Sequence, residues 1–180
     1  MIPKDIEVEI RSFLTDERFE ELLQFFQVNG EFTGTEDQET WYWSGDKDLR
    51  TQKSDTYSKI WMKDGKMHDT QRKEIELKIT KDDFSKANQL FEAIGLTVKI
   101  KWFRRRSTFN WQDITVTLDK TRGYGHIIEL EKMCVDNDKE KALSELTQKI
   151  NELKITATPK EEFDKRFKDY QDNWKNLTNE

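Results

Sequence analysis

Glu7-Val8-Glu9-Ile10-Arg11 alternates ionisable and aliphatic side chains with the two-residue period of a β-strand. This alternation places two carboxylates and a guanidinium on one face of the strand and two aliphatic side chains on the other. In an ordinary antiparallel sheet such a polar face is simply solvated. The pattern recurs, however, at residues 72–79 and at Glu129-Leu130-Glu131. The sequence therefore predicts three strands that each carry a charged face.

The composition sets limits on the class of protein. With 180 residues, 34% of them hydrophobic, the chain is predicted to form one domain, residues 1–180, with a buried core. Charged residues make up 37% of the chain but the net charge is only −5, which argues against nucleic-acid binding by bulk basicity. The single cysteine, Cys134, fits a reducing compartment, and no stretch reads as a secretion signal or a membrane span. We therefore expect a cytoplasmic protein that makes no membrane contact.

The remaining elements follow from periodicity and from end signals. Strands are predicted at about 39–43, 48–52, 57–63, 97–109 and 111–119, with a hairpin turn at residues 109–112. Thr15 is predicted to cap a first helix, which stops at Gly30, and Thr80 to cap a second, which runs through Ile94. Two C-terminal helices are expected at about 136–177, the last starting with a capping box at residues 158–161.

A sheet of about eight strands with one charged face has two stable forms. If it is open, the charged face is solvated and the domain has two ordinary layers. If it closes on itself, the charges line the interior and must compensate one another or bind ions. The candidate inner residues are nearly matched in charge, which supports the closed form. They are the acids Glu7, Glu9, Glu74, Glu76, Asp119, Glu129 and Glu131 and the bases Arg11, Arg50, Lys59, Lys63, Arg72, Lys78, Arg104 and Arg106.

The opening strand resembles the E-x-E-x-K signature of the CYTH family, the triphosphate tunnel metalloenzymes. Its companion motifs occur in order between about residues 5 and 133. They are Asp48-Leu49-Arg50, Lys63-Asp64-Gly65, the acidic strand from Arg72 to Ile79, Arg104-Arg105-Arg106, Leu118-Asp119, Gly123-Tyr124-Gly125 and Ile128-Glu129-Leu130-Glu131. The chain departs from the pattern at Arg11, where lysine is usual, and at Gln52, where a second basic residue often follows the leucine-arginine pair.

The resemblance implies an α+β fold: a closed eight-stranded antiparallel β-barrel with helices packed outside. Its tunnel would hold a triphosphate between basic side chains and Mg²⁺ or Mn²⁺ held by carboxylates. The residue inventory agrees, because oxygen ligands without a His or Cys cluster favour a hard cation, and arginine suits bidentate phosphate contact. Family members include class IV adenylate cyclases and thiamine, inorganic and RNA triphosphatases.

The resemblance implies a role for each residue that stands at a matched motif position. The expected metal ligands are Glu7, Glu9, Glu129 and Glu131, followed by Asp119 and Glu76. The expected substrate clamps are Arg11, Arg50, Lys63, Arg104 and Arg106, supported by Arg72 and Lys78, and the expected catalytic residues are Glu9 and Arg11. Lys101 and Arg105 have the opposite parity and are predicted to face solvent. The alternative for the carboxylates is a solvated strand face. The stretch from Lys99 to Trp111 is rich in Trp and Arg, which would suit a nucleotide base or other aromatic group that stacks near the mouth of the tunnel. The alternative, which we prefer for Trp102 and Trp111, is ordinary packing, and we also interpret the stripe Phe163, Phe167, Tyr170 and Trp174 as a packing face.

The leading functional hypothesis is metal-dependent hydrolysis of a triphosphate, inorganic or organic. The substrate candidates are tripolyphosphate, a nucleoside triphosphate and thiamine triphosphate, and a nucleic acid would be recognised only as a 5′-triphosphate end. A class IV-type adenylate cyclase that makes cyclic AMP and pyrophosphate from ATP is the competing enzyme. A non-catalytic binder of polyphosphate or nucleotide is the alternative outside enzymology. The sequence leaves open whether the chain forms a homodimer.

Overall fold

The computed structural model of the protein describes residues 6–64 and 71–180, except for the side chains of residues 64 and 71–74. Within these residues the chain forms eight β-strands, four α-helices and one 3₁₀ turn. They are β1 Ile6–Leu14, α1 Asp16–Asn29, β2 Glu31–Trp43, β3 Asp48–Lys53, β4 Ser58–Asp64, β5 Gln71–Ile79, α2 Asp83–Ala93, β6 Val98–Trp111, β7 Ile114–Thr121, β8 Gly125–Cys134, the 3₁₀ turn Asp136–Asp138, α3 Lys139–Glu152 and α4 Lys160–Thr178.

All strand pairs are antiparallel, in the order β1-β5-β4-β3-β2-β6-β7-β8. The last strand pairs with the first along nine residue pairs, from Ile6↔Cys134 to Leu14↔His126. Among the described residues, β1 also meets β5 at Glu7↔Arg72 and Val8↔Gln71. The predicted eight-stranded antiparallel sheet and the α+β class are therefore confirmed.

The aliphatic face of the sheet packs against the helices. Val8, Val116 and Leu130 are fully buried in one cluster with Phe26 of α1 and Leu146 of α3. Burying a side chain of this size stabilises the fold by about 1.5–3 kcal/mol relative to leaving it exposed. Because side chains alternate along a strand, this packing directs Glu7, Glu9 and the other odd-numbered residues of β1 to the opposite face. None of the helices within the described residues is long and apolar enough to cross a membrane.

The helix ends follow the predictions only in part. Thr15 caps α1 as expected, since its hydroxyl accepts a hydrogen bond from the Arg18 amide at 3.2 Å. The prediction for Thr80 is wrong: α2 begins three residues later, and the Thr80 hydroxyl donates to the Asp83 carboxylate at 2.6 Å. The capping box of α4 does not form, because the Thr158 hydroxyl accepts from the Phe13 amide at 3.0 Å. A tertiary contact to β1 has replaced the local cap.

Two strand boundaries also differ from the predictions. The β6–β7 hairpin turns at Gln112 and Asp113, whose φ angles are 50° and 64°, and not at residues 109–112. Two consecutive positive φ values are typical of a tight type I′ connection, but glutamine is an unusual residue there. Strand β2 begins at Glu31, well before residue 39, because it pairs with β6 along its length. The turn predicted after Asp64 lies outside the described residues.

Candidate active site

The charged face of the sheet surrounds a cavity of about 300 Å³. Twelve ionisable side chains predicted for the inner face line it, six acidic and six basic among the described residues. They are Glu7, Glu9, Glu76, Asp119, Glu129 and Glu131, and Arg11, Arg50, Lys59, Lys63, Arg104 and Arg106. These side chains share one recess in the molecule, and the carboxylates of Glu9 and Asp119 are buried within it.

Three carboxylates form a cluster at one end of β1. Glu9 and Glu131 are cross-strand partners in the β1–β8 pairing, and Glu7 lies two residues along the same face. One oxygen from each of Glu7, Glu9 and Glu131 lies within 4.8 Å of the other two. Burial raises the pKa of Glu131 to about 8, and the charges of Glu129, Glu7 and Glu9 act in the same direction. Burial likewise raises the pKa of Glu9. Like charges held this close favour either a bound proton or a bound cation.

Asp119 and Glu129 are held differently, because guanidiniums neutralise them. The Arg106 side chain donates to both Asp119 oxygens, at 2.7 and 2.6 Å, and to Glu129 Oε2 at 2.5 Å. Arg104 donates to Asp119 Oδ2 at 3.1 Å. Burial alone would raise the pKa of Glu129, but Arg106, Arg104 and Arg11 outweigh burial and lower it to about 2. These two carboxylates thus orient arginines and are already charge-compensated.

Arg11 lies between the two groups of carboxylates. Its Nη2 is 3.2 Å from Glu9 Oε1 and its Nη1 is 3.8 Å from Glu129 Oε1. Its guanidinium carbon is 5.0 Å from the centroid of the Phe163 ring. A planar guanidinium can serve two partners in different directions, whereas a lysine ammonium is a single point charge. This geometry gives a physical reason for an arginine at position 11, where the family motif usually has lysine.

The opposite wall comes from β3, β4 and β5. Arg50 forms a bidentate pair with Asp48, and its guanidinium carbon is 4.3 Å from the Tyr42 ring centroid. Lys59 donates to Glu76 at 2.7 Å. Lys63 Nζ is 3.7 Å from Glu7 Oε1, so this lysine adjoins the carboxylate cluster. Three basic side chains thus line this wall, and Lys63 is the one that adjoins the carboxylate cluster.

Lys78 is the one described side chain predicted for the inner face that lies away from this cavity. Its side chain is exposed and its Nζ is 4.9 Å from the Tyr57 ring centroid. The side chains of Arg72 and Glu74 lie outside the described residues. Lys101 and Arg105 were predicted from strand parity to face solvent, and both do. The Arg105 side chain is 66% exposed, and Lys101 pairs with Glu180 at the surface.

The packing interpretation missed that several aromatic side chains line the cavity. Trp102 and Phe167 line it, together with Tyr42, Tyr124 and Phe163, whereas Trp111 belongs to the core as expected. The interpretation of Trp102, Phe163 and Phe167 as packing residues only is therefore incomplete. Helical spacing predicts that Phe163 and Phe167 lie on one face of the helix. It does not predict that this face covers the charged cavity. Gln52, 4% exposed, also lines the cavity, and its Nε2 is buried without a hydrogen-bond partner among the described residues.

Comparison with known proteins relates this arrangement to a family. A protein of Methanocaldococcus jannaschii named provisionally as an adenylate cyclase is 30% identical over 164 residues, which cover 84% of this chain and 91% of that protein. A conserved hypothetical protein of Pyrococcus furiosus has the same fold, with a TM-score of 0.74, 23% identity and coverage of 83% of this chain and 91% of that chain.

A Hippeastrum protein, named provisionally as an adenylyl cyclase and described as having a dominant triphosphatase activity, aligns with a TM-score of 0.61 at 15% identity. The alignment covers 83% of this chain and 88% of that chain. At such identities the structural likenesses bear on the fold alone. A family model described as the CYTH domain, however, matches residues 5–168. Because this match covers most of the sequence, the chain belongs to the CYTH domain family.

Proposed function

We propose that this chain hydrolyses a triphosphate in a divalent-metal-dependent reaction, inside a tunnel that the sheet encloses. The proposal rests on one observation: the cavity holds carboxylates without enough cations in one part and arginines in another. Glu7, Glu9 and Glu131 form a carboxylate cluster that a cation would neutralise, and guanidiniums already held in place lie beside it. The triphosphatase activity described for the Hippeastrum relative supports this reaction class.

Glu7, Glu9 and Glu131 are the residues that would hold the metal. The fit is good for two reasons: the donors are all oxygens, and they converge within 4.8 Å. Oxygen-only donor sets suit Mg²⁺ or Mn²⁺ better than softer metals. When bound, such an ion would neutralise phosphate charge and acidify a coordinated water. We propose that Asp119, Glu129 and Glu76 contribute by orienting cations.

The basic side chains would bind the phosphate chain. Asp119 and Glu129 fix the Arg106 side chain by three hydrogen bonds, so that little side-chain entropy remains to be lost when an anion binds. Arg104, Arg50, Lys59 and Lys63 surround the same space. Preorganised cations stabilise the charge that spreads over the transferred phosphoryl group. Arg72 and Lys78 remain candidates for supporting contacts only.

Glu9 and Arg11 are the proposed catalytic pair. Glu9 would contribute through the metal ion: its carboxylate is one of the three that would hold the ion, and it would thereby help to position a water for attack. Arg11, 3.2 Å from Glu9, stays charged at all working pH values, so that its role would be to stabilise anionic oxygens and not to exchange protons.

Cyclase chemistry is the second candidate function. The Methanocaldococcus jannaschii relative carries that name, and the aromatic side chains at one end of the cavity offer a surface for a nucleotide base. A cyclase would use the same metal and the same cations but would activate a ribose 3′-hydroxyl against the α-phosphate. Its products, cyclic AMP and pyrophosphate, distinguish it from a hydrolase.

Phosphate release from tripolyphosphate, ATP and thiamine triphosphate, with Mg²⁺ or Mn²⁺ and with EDTA, tests the proposal. We expect metal-dependent release by the wild type and a loss of at least ~100-fold for Glu9→Gln and Glu131→Gln, as for removal of a catalytic electrostatic group. Glu20→Gln, the same change at an exposed position on α1, is the matched control and should keep full activity. Full activity in both cavity variants would refute the site assignment. Tight binding of triphosphate without any turnover would favour the non-catalytic binder.

A further inference from the structure

A second recess, of about 730 Å³, lies on the outer face of the sheet where β2, β6 and β7 are neighbours. We call it the outer groove. Its wall includes Phe103 and Arg105 of β6, together with Lys120 and Arg122 of β7 and the turn that follows it. Lys120 comes directly after Asp119, which lines the charged cavity. Because side chains alternate along a strand, the outer groove and the charged cavity lie on opposite faces of the sheet.

Basic side chains dominate the outer groove, although the whole chain has a net charge of −5. Six basic and three acidic residues line it. The acidic residues lie on β2 and in the loop after β3, where Glu39 pairs with Lys53 at 2.8 Å. On the opposite side Lys120 and Arg122 are exposed, and neither makes an ion pair within the described part of the chain. An anion would therefore bind on the β7 side of the outer groove.

Strand pairing also places like charges opposite each other on this side. Arg105 and Lys120 are direct partners in the β6–β7 register. Like charges in directly opposite positions destabilise an antiparallel pair. Asp37 lies 3.9 Å from Arg105, but it offsets little of this repulsion because the two side chains are 67% and 66% exposed. An anion held by Lys120 would relieve the repulsion.

An aromatic ring supports the second cation of this side. The guanidinium carbon of Arg122 is 4.8 Å from the centroid of the Phe103 ring. The Arg122 amide also donates to the Phe103 carbonyl at 2.9 Å, which holds the two residues together. A guanidinium positioned over a ring offers a plane on which a nucleic-acid base can stack, and its N–H groups can reach a phosphate. This pair therefore suits a ligand that carries both groups.

We propose that the outer groove binds single-stranded nucleic acid, with Lys120 and Arg122 on the phosphates and a base on the Arg122–Phe103 pair. A single strand presents phosphates and unpaired bases side by side, and this combination is what a basic groove with a stacking surface recognises. Inorganic polyphosphate and acidic peptides carry negative charge but no base. The site depends on local charge and not on the charge of the whole chain. It is separate from the charged cavity and does not depend on the proposed hydrolysis.

Fluorescence anisotropy with a fluorescein-labelled uridylate decamer tests the inference. The decamer has a 5′-hydroxyl end, so it brings no triphosphate to the charged cavity, and EDTA is present throughout. Two phosphate contacts on a single strand predict a slope of about −1.4 for the logarithm of the association constant against that of salt concentration, and Lys120→Gln should reduce its magnitude by about 0.7.

Arg122→Lys separates stacking from charge. It keeps the charge but removes the plane, so the salt slope should stay the same while affinity for the decamer falls at least ~5-fold. Affinity for a chain of inorganic polyphosphate should not change in this variant. Lys141→Gln, at an exposed position on α3, is the matched control for Lys120→Gln and should leave both affinity and slope unchanged.

Several results would overturn the inference without bearing on hydrolysis. One is a wild type that does not bind the decamer, and another is equal affinity in all variants. A loss of affinity in Lys59→Gln but not in Lys120→Gln would place the strand in the charged cavity, which Lys59 lines. An equal loss for polyphosphate and for the decamer in Arg122→Lys would leave a site for charge alone. Tighter binding of oligoglutamate than of the decamer would indicate an acidic peptide as the ligand.

Discussion

Glu131→Gln should change how the stability of the metal-free protein depends on pH. The pKa of Glu131 is about 8 in the folded protein, raised from 4.5 first by burial and then by the neighbouring carboxylates. Between these two values the folded state binds more protons than the unfolded state, so the stability of the wild type falls as pH rises through this window. At 1.36 kcal/mol for each pKa unit, the loss contributed by Glu131 reaches at most about 5 kcal/mol by pH 9.

The glutamine side chain is neutral at every pH and lacks this loss. The free energy of unfolding of Glu131→Gln relative to wild type, both in EDTA, should therefore increase by several kcal/mol between pH 5 and pH 9, as an order-of-magnitude expectation. Urea unfolding followed by tryptophan fluorescence at pH 5, 7 and 9 measures it. Glu20→Gln on the surface is the control, with no change in pH dependence. Parallel curves for wild type and Glu131→Gln would refute the reasoning about the cluster.

Three further variants test the other parts of the cavity. Asp119→Asn removes the carboxylate shared by Arg104 and Arg106. Because a buried charge then loses its partner, we expect the free energy of unfolding in urea to fall by about 3 kcal/mol and KM to rise. Unchanged values of both would contradict the arrangement. Arg11→Gln removes the charge that most lowers the pKa of Glu9. The Glu9 carboxyl would then have to lose a proton more often when Mn²⁺ binds, so Mn²⁺ affinity in calorimetric titrations should depend more steeply on pH between pH 6 and 9. An unaltered slope would count against the Arg11–Glu9 contact. Arg105→Glu changes an outward side chain, so activity should stay within about twofold of wild type; a large loss would mean that the face of β6 is misassigned.

Much of the sheet could be predicted from local patterns. Alternation in β1 and β8 identified both the strands and the face that carries Glu9 and Glu131, because a two-residue period fixes which side chains share a face. The pattern was less informative where tertiary pairing decided the structure. The stretch from Glu31 to Gln38 is polar and contains Gly34, yet it is a strand because β6 provides a continuous partner. The Thr158 hydroxyl fits a helix cap, but it bonds to β1.

The candidate site could be predicted as a set of residues but not as an arrangement. Residue type and strand parity identified the ionisable residues that line the cavity. Which carboxylates pair with arginines and which cluster together depends on distances between strands. Glu129 and Glu131 are two positions apart on one strand, but only Glu129 is within reach of Arg106. Opposite shifts of their pKa values follow from that difference. Phe167 is in a cavity because of where α4 lies on the sheet, and helical periodicity contains no information about that position.

The most direct test of the central claim is ³¹P NMR of the products that the purified protein forms from ATP with Mg²⁺ or Mn²⁺. The account predicts inorganic phosphate and ADP, formed only with metal and lost in Glu9→Gln. Cyclic AMP with pyrophosphate would contradict hydrolysis and establish the cyclase, and the absence of any product from ATP, tripolyphosphate and thiamine triphosphate would contradict the claim that this cavity is a catalytic site.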